Sequence, residues 1–267
     1  MNEAGFNLIM NIMSGIQVFL YAACMTAFFY PFMAGKKEQR KSRIKKALMV
    51  FAVYMVMYFI GMTTSVYGWL CMIIVIVLLA AASKFLDMER EFTVLLGVLF
   101  FCARKLSALI MRSVSFIVDK RLEQKAETLE VTKNIFSRAA LNYAFVAVLQ
   151  ILLLSVMLCV MGRLLKKKIR KLHMKELCYL LLTPVTGILF VNIIFHILLI
   201  VNENTIIQLY EQFTVFLGIV PVVAVLFYAG ILITIVPYQK MIGLQEEKYF
   251  IEQQQVHAIQ GVVSESR

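Results

Sequence analysis

The sequence predicts an all-α protein, a polytopic transmembrane helix bundle of about seven spans with a cytoplasmic signalling helix at its C-terminus. Three observations predict it. Hydrophobic residues make up 61% of the 267 positions, against about 45–50% in soluble domains. Charged residues make up 16%, against about 25%. The mean hydropathy is +0.81, and the apolar residues gather in stretches long enough to cross a hydrocarbon core, which takes about 20 residues in a helix.

The stretches, in order, are 8–33, 47–67, 69–86, 92–118, 137–162, 177–201 and 213–236. Each is too long for a membrane strand, and a backbone in lipid must satisfy its own hydrogen bonds, so each is expected to be a helix. The first starts without a basic segment before it and is longer than the apolar region of a cleavable leader, so it reads as a span. Trp69, Tyr67 and Tyr238 fall at expected interfaces, where amphipathic rings anchor helices.

Charge orients the bundle. The formal net charge of +11 comes from 27 basic and 16 acidic residues. Residues 34–46 carry Lys36, Lys37, Arg40, Lys41, Arg43, Lys45 and Lys46 against Glu38 alone. Residues 163–175 carry Arg163, Lys166, Lys167, Lys168, Arg170, Lys171 and Lys175 with no acid until Glu176. Short basic runs between apolar segments mark cytoplasmic loops, so the charge speaks for a membrane and no nucleic-acid partner is expected. Spans two to five separate the two loops by an even number of crossings. The expected placement is a multi-pass cell-membrane protein with its N-terminus outside and its C-terminus in the cytoplasm. The 119–138 loop fits this less closely, since it mixes Lys120, Arg121, Lys125, Lys133 and Arg138 with Asp119, Glu123, Glu127 and Glu130.

The five cysteines, Cys24, Cys71, Cys102, Cys159 and Cys178, lie in or beside apolar stretches with no CxxC pair or metal-ligand spacing. They read as packing residues, and neither metal nor cofactor is expected. His173 and Cys178 could be imagined as a peptidase pair, but a spacing of five sets them on different helical faces. No catalytic constellation stands out.

The fourth span carries the residues of interest. Arg104, Lys105 and Arg112 lie inside its apolar run. Arg104, Ala108, Arg112, Ser115 and Asp119 recur at helical spacing on one face. A basic side chain near the bilayer centre costs at least about 2.5–3.5 kcal/mol and usually faces a bundle interior or wet cavity. No carboxylate sits in the core of another span. The neutral partners are Gln17, Asn142, Gln150, Asn192 and His196. One expectation is a positively lined cavity receiving an anionic group, such as the carboxylate of a peptide or small ligand. The other is that the basic groups snorkel. Asn192 and His196, one turn apart in span six, read first as interhelical hydrogen-bonding groups. Pro184 and Gly187 in span six, and Gly218 and Pro221 in span seven, are positions at which those helices could kink.

After Pro237 the composition becomes polar and helix-favouring, dividing the chain into a membrane domain at 1–237 and a cytoplasmic helix at 238–267. Leu244, Ile251 and Ala258 recur every seven residues, which reads as a short coiled coil. Short-looped spans followed by the Glu/Gln-rich run from Tyr238 resemble the membrane sensor region of a bacterial GHKL-type histidine kinase, of the AgrC-like quorum-sensing sort. The resemblance implies a homodimer through the tail helix, a signal from outside, and transmission through span seven. In that family the helix leads into an Arg-His-Asp-like phosphoacceptor box, whereas this chain has Val263-Ser264-Glu265-Ser266-Arg267 there. His257, with no acid after it, is not given that role. The expectation is a sensory membrane domain without the kinase core, with Arg104, Lys105, Arg112, Asn192 and His196 in sensing and Leu244, Ile251 and Ala258 in transmission. The alternative is a small transporter or permease component, for which intramembrane charge is also suitable.

Overall fold

The computed structural model describes residues 3–33, 40–64, 68–126, 135–165, 174–203, 219–236, 248 and 250–255. Of the sequence expectations, Leu244, Ala258, Tyr67, Tyr238, His173 and Gly218 lie outside the described residues, as do the side chains of His196, Trp69 and Asp119.

Among the described residues the structure is helical with no strand. The first apolar stretch forms α1 (Glu3–Phe29), which tightens into a 3-10 turn at Tyr30–Phe32. Pro31 lacks the N–H that the next α-helical hydrogen bond would need, so the tighter turn closes the helix. Then follow α2 (Arg40–Thr64), α3 (Gly68–Ala81), α4 (Arg90–Ala126), α5 (Ile135–Leu165) and α6 (Met174–Glu203). The last apolar stretch forms α7 (Ile219–Val236). Pro184 lies inside α6 without ending it, because neighbouring packing in a membrane compensates for one lost backbone bond.

Each of the expected apolar stretches therefore corresponds to a helix, and among the described residues five helices are long and apolar enough to cross a membrane: Leu8–Phe32, Arg90–Ser115, Asn142–Leu165, Leu177–Ile194 and Ile219–Val236. Of the other two, α2 carries Arg43, Lys45 and Lys46 in its first turns, ahead of a charge-free apolar run at 47–64. At about 1.5 Å per residue α3 is about 21 Å long, less than a hydrocarbon core of about 30 Å. It stops at Ala81, earlier than the expected 86, in a run of turns. There Met88 N–H bonds to Ser83 O at 3.0 Å, and Asp87 adopts a left-handed backbone, φ 51°.

Helix α4 is the centre of the bundle. It packs against α3, α5 and α6 and touches α1. Its candidate span is 61% buried, against 17–39% for the other four. Leu95, Leu96, Leu99, Phe100, Phe101, Leu106 and Leu109 are all at most 1% exposed. The surrounding helices turn large apolar side chains outward: Phe59 is 70% exposed, Ile233 68%, Leu182 64% and Leu226 64%. Water would penalise such a surface heavily, whereas lipid accepts it, which makes this a membrane protein. Small residues set the closest approaches. A Cβ at Gly97 would lie 3.2 Å from Ile76 of α3, and one at Gly187 of α6 would lie 3.3 Å from Cys102 Sγ of α4.

The helices alternate in direction. Phe32 meets Phe92 with ring centroids 5.3 Å apart, Lys46 pairs with Asp87, and a Cβ placed on Gly162 would lie 3.9 Å from the Phe28 ring. The ends of α1, α3 and α5 and the starts of α2 and α4 thus share one end of the bundle. The described basic residues of the two polybasic segments, Arg43, Lys45 and Lys46 near the start of α2 and Arg163 near the end of α5, lie at this same end. That agrees with the even number of crossings deduced between them.

Candidate functional site

The site is built where α4 meets α1 and α2, about midway along the bundle. Counting from the Lys46–Asp87 contact, Tyr58 lies about 18 Å up α2, and Arg104 lies about 21 Å up α4 from Arg90. Both residues therefore lie inside the apolar runs of their helices rather than at the basic end.

Arg104 is half-buried, and its Nη1 donates to the hydroxyl of Tyr54 at 2.6 Å and to that of Tyr58. The two tyrosines are one turn apart on α2, and their rings stack with centroids 4.5 Å apart and planes at 18°. The guanidinium carbon stands 4.7 Å from the Tyr58 ring centroid, 5.0 Å from that of Tyr21 on α1 and 5.7 Å from that of Phe101. Tyr54 is fully buried, stacked also on Phe101 and edge-on to Phe100. The charge is thus held in a cage of phenol oxygens and ring faces.

Magnitudes show that this cage offsets at least the lower bound of the cost of keeping Arg104 inside. A hydrogen bond to a charged group contributes about 1.5–3 kcal/mol, and a cation–π contact about 0.5–2 kcal/mol. Two of the former and several of the latter outweigh an insertion cost of about 2.5–3.5 kcal/mol. Both bonds come from Nη1, so the Nε and Nη2 donors are not engaged by these tyrosines.

The cage continues into a polar chain. Gln17 Nε2 donates to the Tyr21 hydroxyl at 2.7 Å and to Gln150 Oε1 of α5 at 3.3 Å. The Tyr143 hydroxyl, also on α5, donates to Gln17 Oε1 at 2.9 Å. Hydrogen bonds and ring contacts therefore connect α5 to α1, α1 to α4, and α4 to α2 through Arg104.

Lys105 points to a different neighbour. One residue along a helix is a rotation of about 100°, which turns Lys105 towards α6, where its Nζ donates to Asn192 Oδ1 at 3.2 Å. The sequence named both partners, and the structure joins them. His196 lies one turn beyond Asn192 on α6. Arg112 is two turns beyond Arg104 on α4 and is exposed. It has an interaction of its own, but it does not share the tyrosine cage.

The sequence reading missed Tyr21, Tyr54, Tyr58 and Tyr143. A signal for them was present: Gln17–Tyr21 and Tyr54–Tyr58 are both i, i+4 pairs inside apolar stretches, where a hydroxyl needs a partner. Gln17 and Gln150 were named as neutral candidates and do belong to the network. Of the transmission residues, Ile251 lies in the helical segment 250–255 and is exposed.

Among the described residues no group of three His, Cys, Asp or Glu side chains assembles into a metal site. Cys178 is exposed near the start of α6. No protein-family model, curated protein or solved structure matches this chain.

Proposed function

We propose that the chain is a sensory membrane domain whose two-state element is the Arg104 cage. The observation that carries this reading is a guanidinium held within a membrane bundle by neutral phenols, with no carboxylate among its described partners. Phenol oxygens are weaker acceptors for a guanidinium than a carboxylate, which binds as a charge-assisted and often bidentate partner. An anionic group, such as the carboxylate of a peptide or small ligand, would compete with Tyr54 and Tyr58 for Arg104. Success would release α2 from α4 and give the differential affinity that any ligand-driven shift requires.

The Lys105–Asn192 bond would carry the change from α4 to α6. Phe190 packs on Phe227, with centroids 5.0 Å apart and planes tilted by 31°, and would carry it from α6 to α7. Beyond α7 lies the polar tail, which by resemblance to GHKL-type sensor kinases would pair with a second copy in the cytoplasm.

A photo-crosslinking residue at Ile251, in cell membranes, tests the coupling. Copies should crosslink through the tail, and Arg104→Gln should change the crosslinked fraction at equal expression. Absence of crosslinking between copies, or an identical fraction in Arg104→Gln, overturns the reading. Protein-dependent flux of small organic anions into proteoliposomes would replace it with the transporter reading.

A further inference from the structure

A second feature lies away from the Arg104 cage. A groove of about 340 Å³ runs between α1 with its 3-10 turn and α5. Its walls are mainly apolar, with Ala27, Phe28 and Pro31 on one side and Leu158 and Gly162 on the other. At Gly162 the two walls stand apart, since an added Cβ there would still come no closer than 3.9 Å to Phe28, an ordinary contact. Cys24 and Ser155, 3.7 Å apart, lie at the inner end. Arg163, exposed and in the last turn of α5, lines the outer end.

Three properties identify an occupant. The groove opens on the bundle's outer face, beside exposed Val156 and Val160. Ser155 to Arg163 spans about 12 Å of helix, close to the half-thickness of a hydrocarbon core, about 15 Å. The outer end is basic, and the sequence continues through Lys166, Lys167, Lys168, Arg170 and Lys171. A slot leading from a cationic rim towards the bilayer midplane matches an anionic phospholipid, with its phosphate on Arg163 and one acyl chain along Phe28 and Leu158. A soluble anion would use the rim and leave the apolar length unfilled.

We propose that this groove is a specific site for an anionic phospholipid of the leaflet at the basic end of the bundle. Native mass spectrometry of the full chain tests it, with phosphatidylglycerol and phosphatidylcholine of identical acyl chains as probes. Wild type should retain the glycerol lipid about five-fold or more over the choline lipid, a ratio corresponding to one basic residue at an anionic surface. Arg163→Gln should lose that preference and Arg163→Lys should keep it. Gly162→Leu, which fills the groove, should reduce binding of both lipids. If that variant does not fold, Ala27→Leu fills the same space from an exposed position. Equal retention of the two lipids by wild type overturns the proposal. So does wild-type binding by a folded groove-filled variant, or displacement of the lipid by excess glycerol 3-phosphate, which would mean that only the rim is used.

Discussion

Removing the two phenol oxygens from around Arg104 perturbs the site without altering its shape. Tyr54→Phe and Tyr58→Phe each keep the ring, and with it the stacking at 4.5 Å and the cation–π contact at 4.7 Å. Each deletes one hydrogen bond to a charged donor. The expected loss is about 1.5–3 kcal/mol for either single change. The double change should cost less than twice that, because neighbouring effects on one guanidinium are not additive. Arg104→Gln, by contrast, removes the bonds together with an insertion cost of about 2.5–3.5 kcal/mol, and should be less harmful than its burial implies.

The diagnostic is therefore a double-mutant cycle. Tyr58→Phe should be costly in wild type and nearly neutral in Arg104→Gln, giving a coupling of about 1.5–3 kcal/mol. Reversible unfolding in mixed micelles reads it. The reasoning fails if Tyr58→Phe has the same cost in both backgrounds, since the tyrosine would then act by packing alone.

Other changes follow from the same geometry. Gln17→Leu breaks bonds to Tyr21, Gln150 and Tyr143. It should lower the melting temperature more than Gln150→Leu, for which about 0.6 kcal/mol is expected from a single interhelical bond. Asn192→Leu strands Lys105, so it should reduce the folded yield, and adding Lys105→Met should restore much of it. Gly97→Val drives a side chain into Ile76, already 3.2 Å from the Cβ position, and should cost about 1–3 kcal/mol by overpacking, measured as a thermal shift. At the basic end, Asp87→Ala should destabilise by about 1 kcal/mol more than Asp87→Asn. Both lose the charge facing Lys46, but only alanine strains the left-handed backbone at φ 51°.

The fold was legible in the sequence because burial in lipid leaves a one-dimensional trace. The expected stretch at 92–118 falls inside Arg90–Ala126, and 177–201 inside Met174–Glu203. The stop at Ala81 was not legible, because Leu86 and Phe85 extend the apolar pattern into a turn. For the site, polarity inside apolar runs picked out Arg104, Lys105 and Asn192, but it could not assign them to neighbours. Spacing placed Arg104 with Arg112 on one face, whereas contact separates them: one lies in a cage and the other is exposed. Which tyrosine meets which cation depends on how α1 and α3 hold α2 beside α4, and that is set by packing between segments apart in the chain.

The most direct measurement is solid-state NMR of the full chain in lipid bilayers, with nitrogen-labelled arginine and ring-labelled tyrosine. The expected result is one arginine Nη in close dipolar contact with the Cζ of two tyrosines, one signal lost in Tyr54→Phe, the other in Tyr58→Phe, and both in Arg104→Gln. An arginine spectrum without tyrosine contacts, unchanged in those variants, would contradict a guanidinium held by phenols within the membrane.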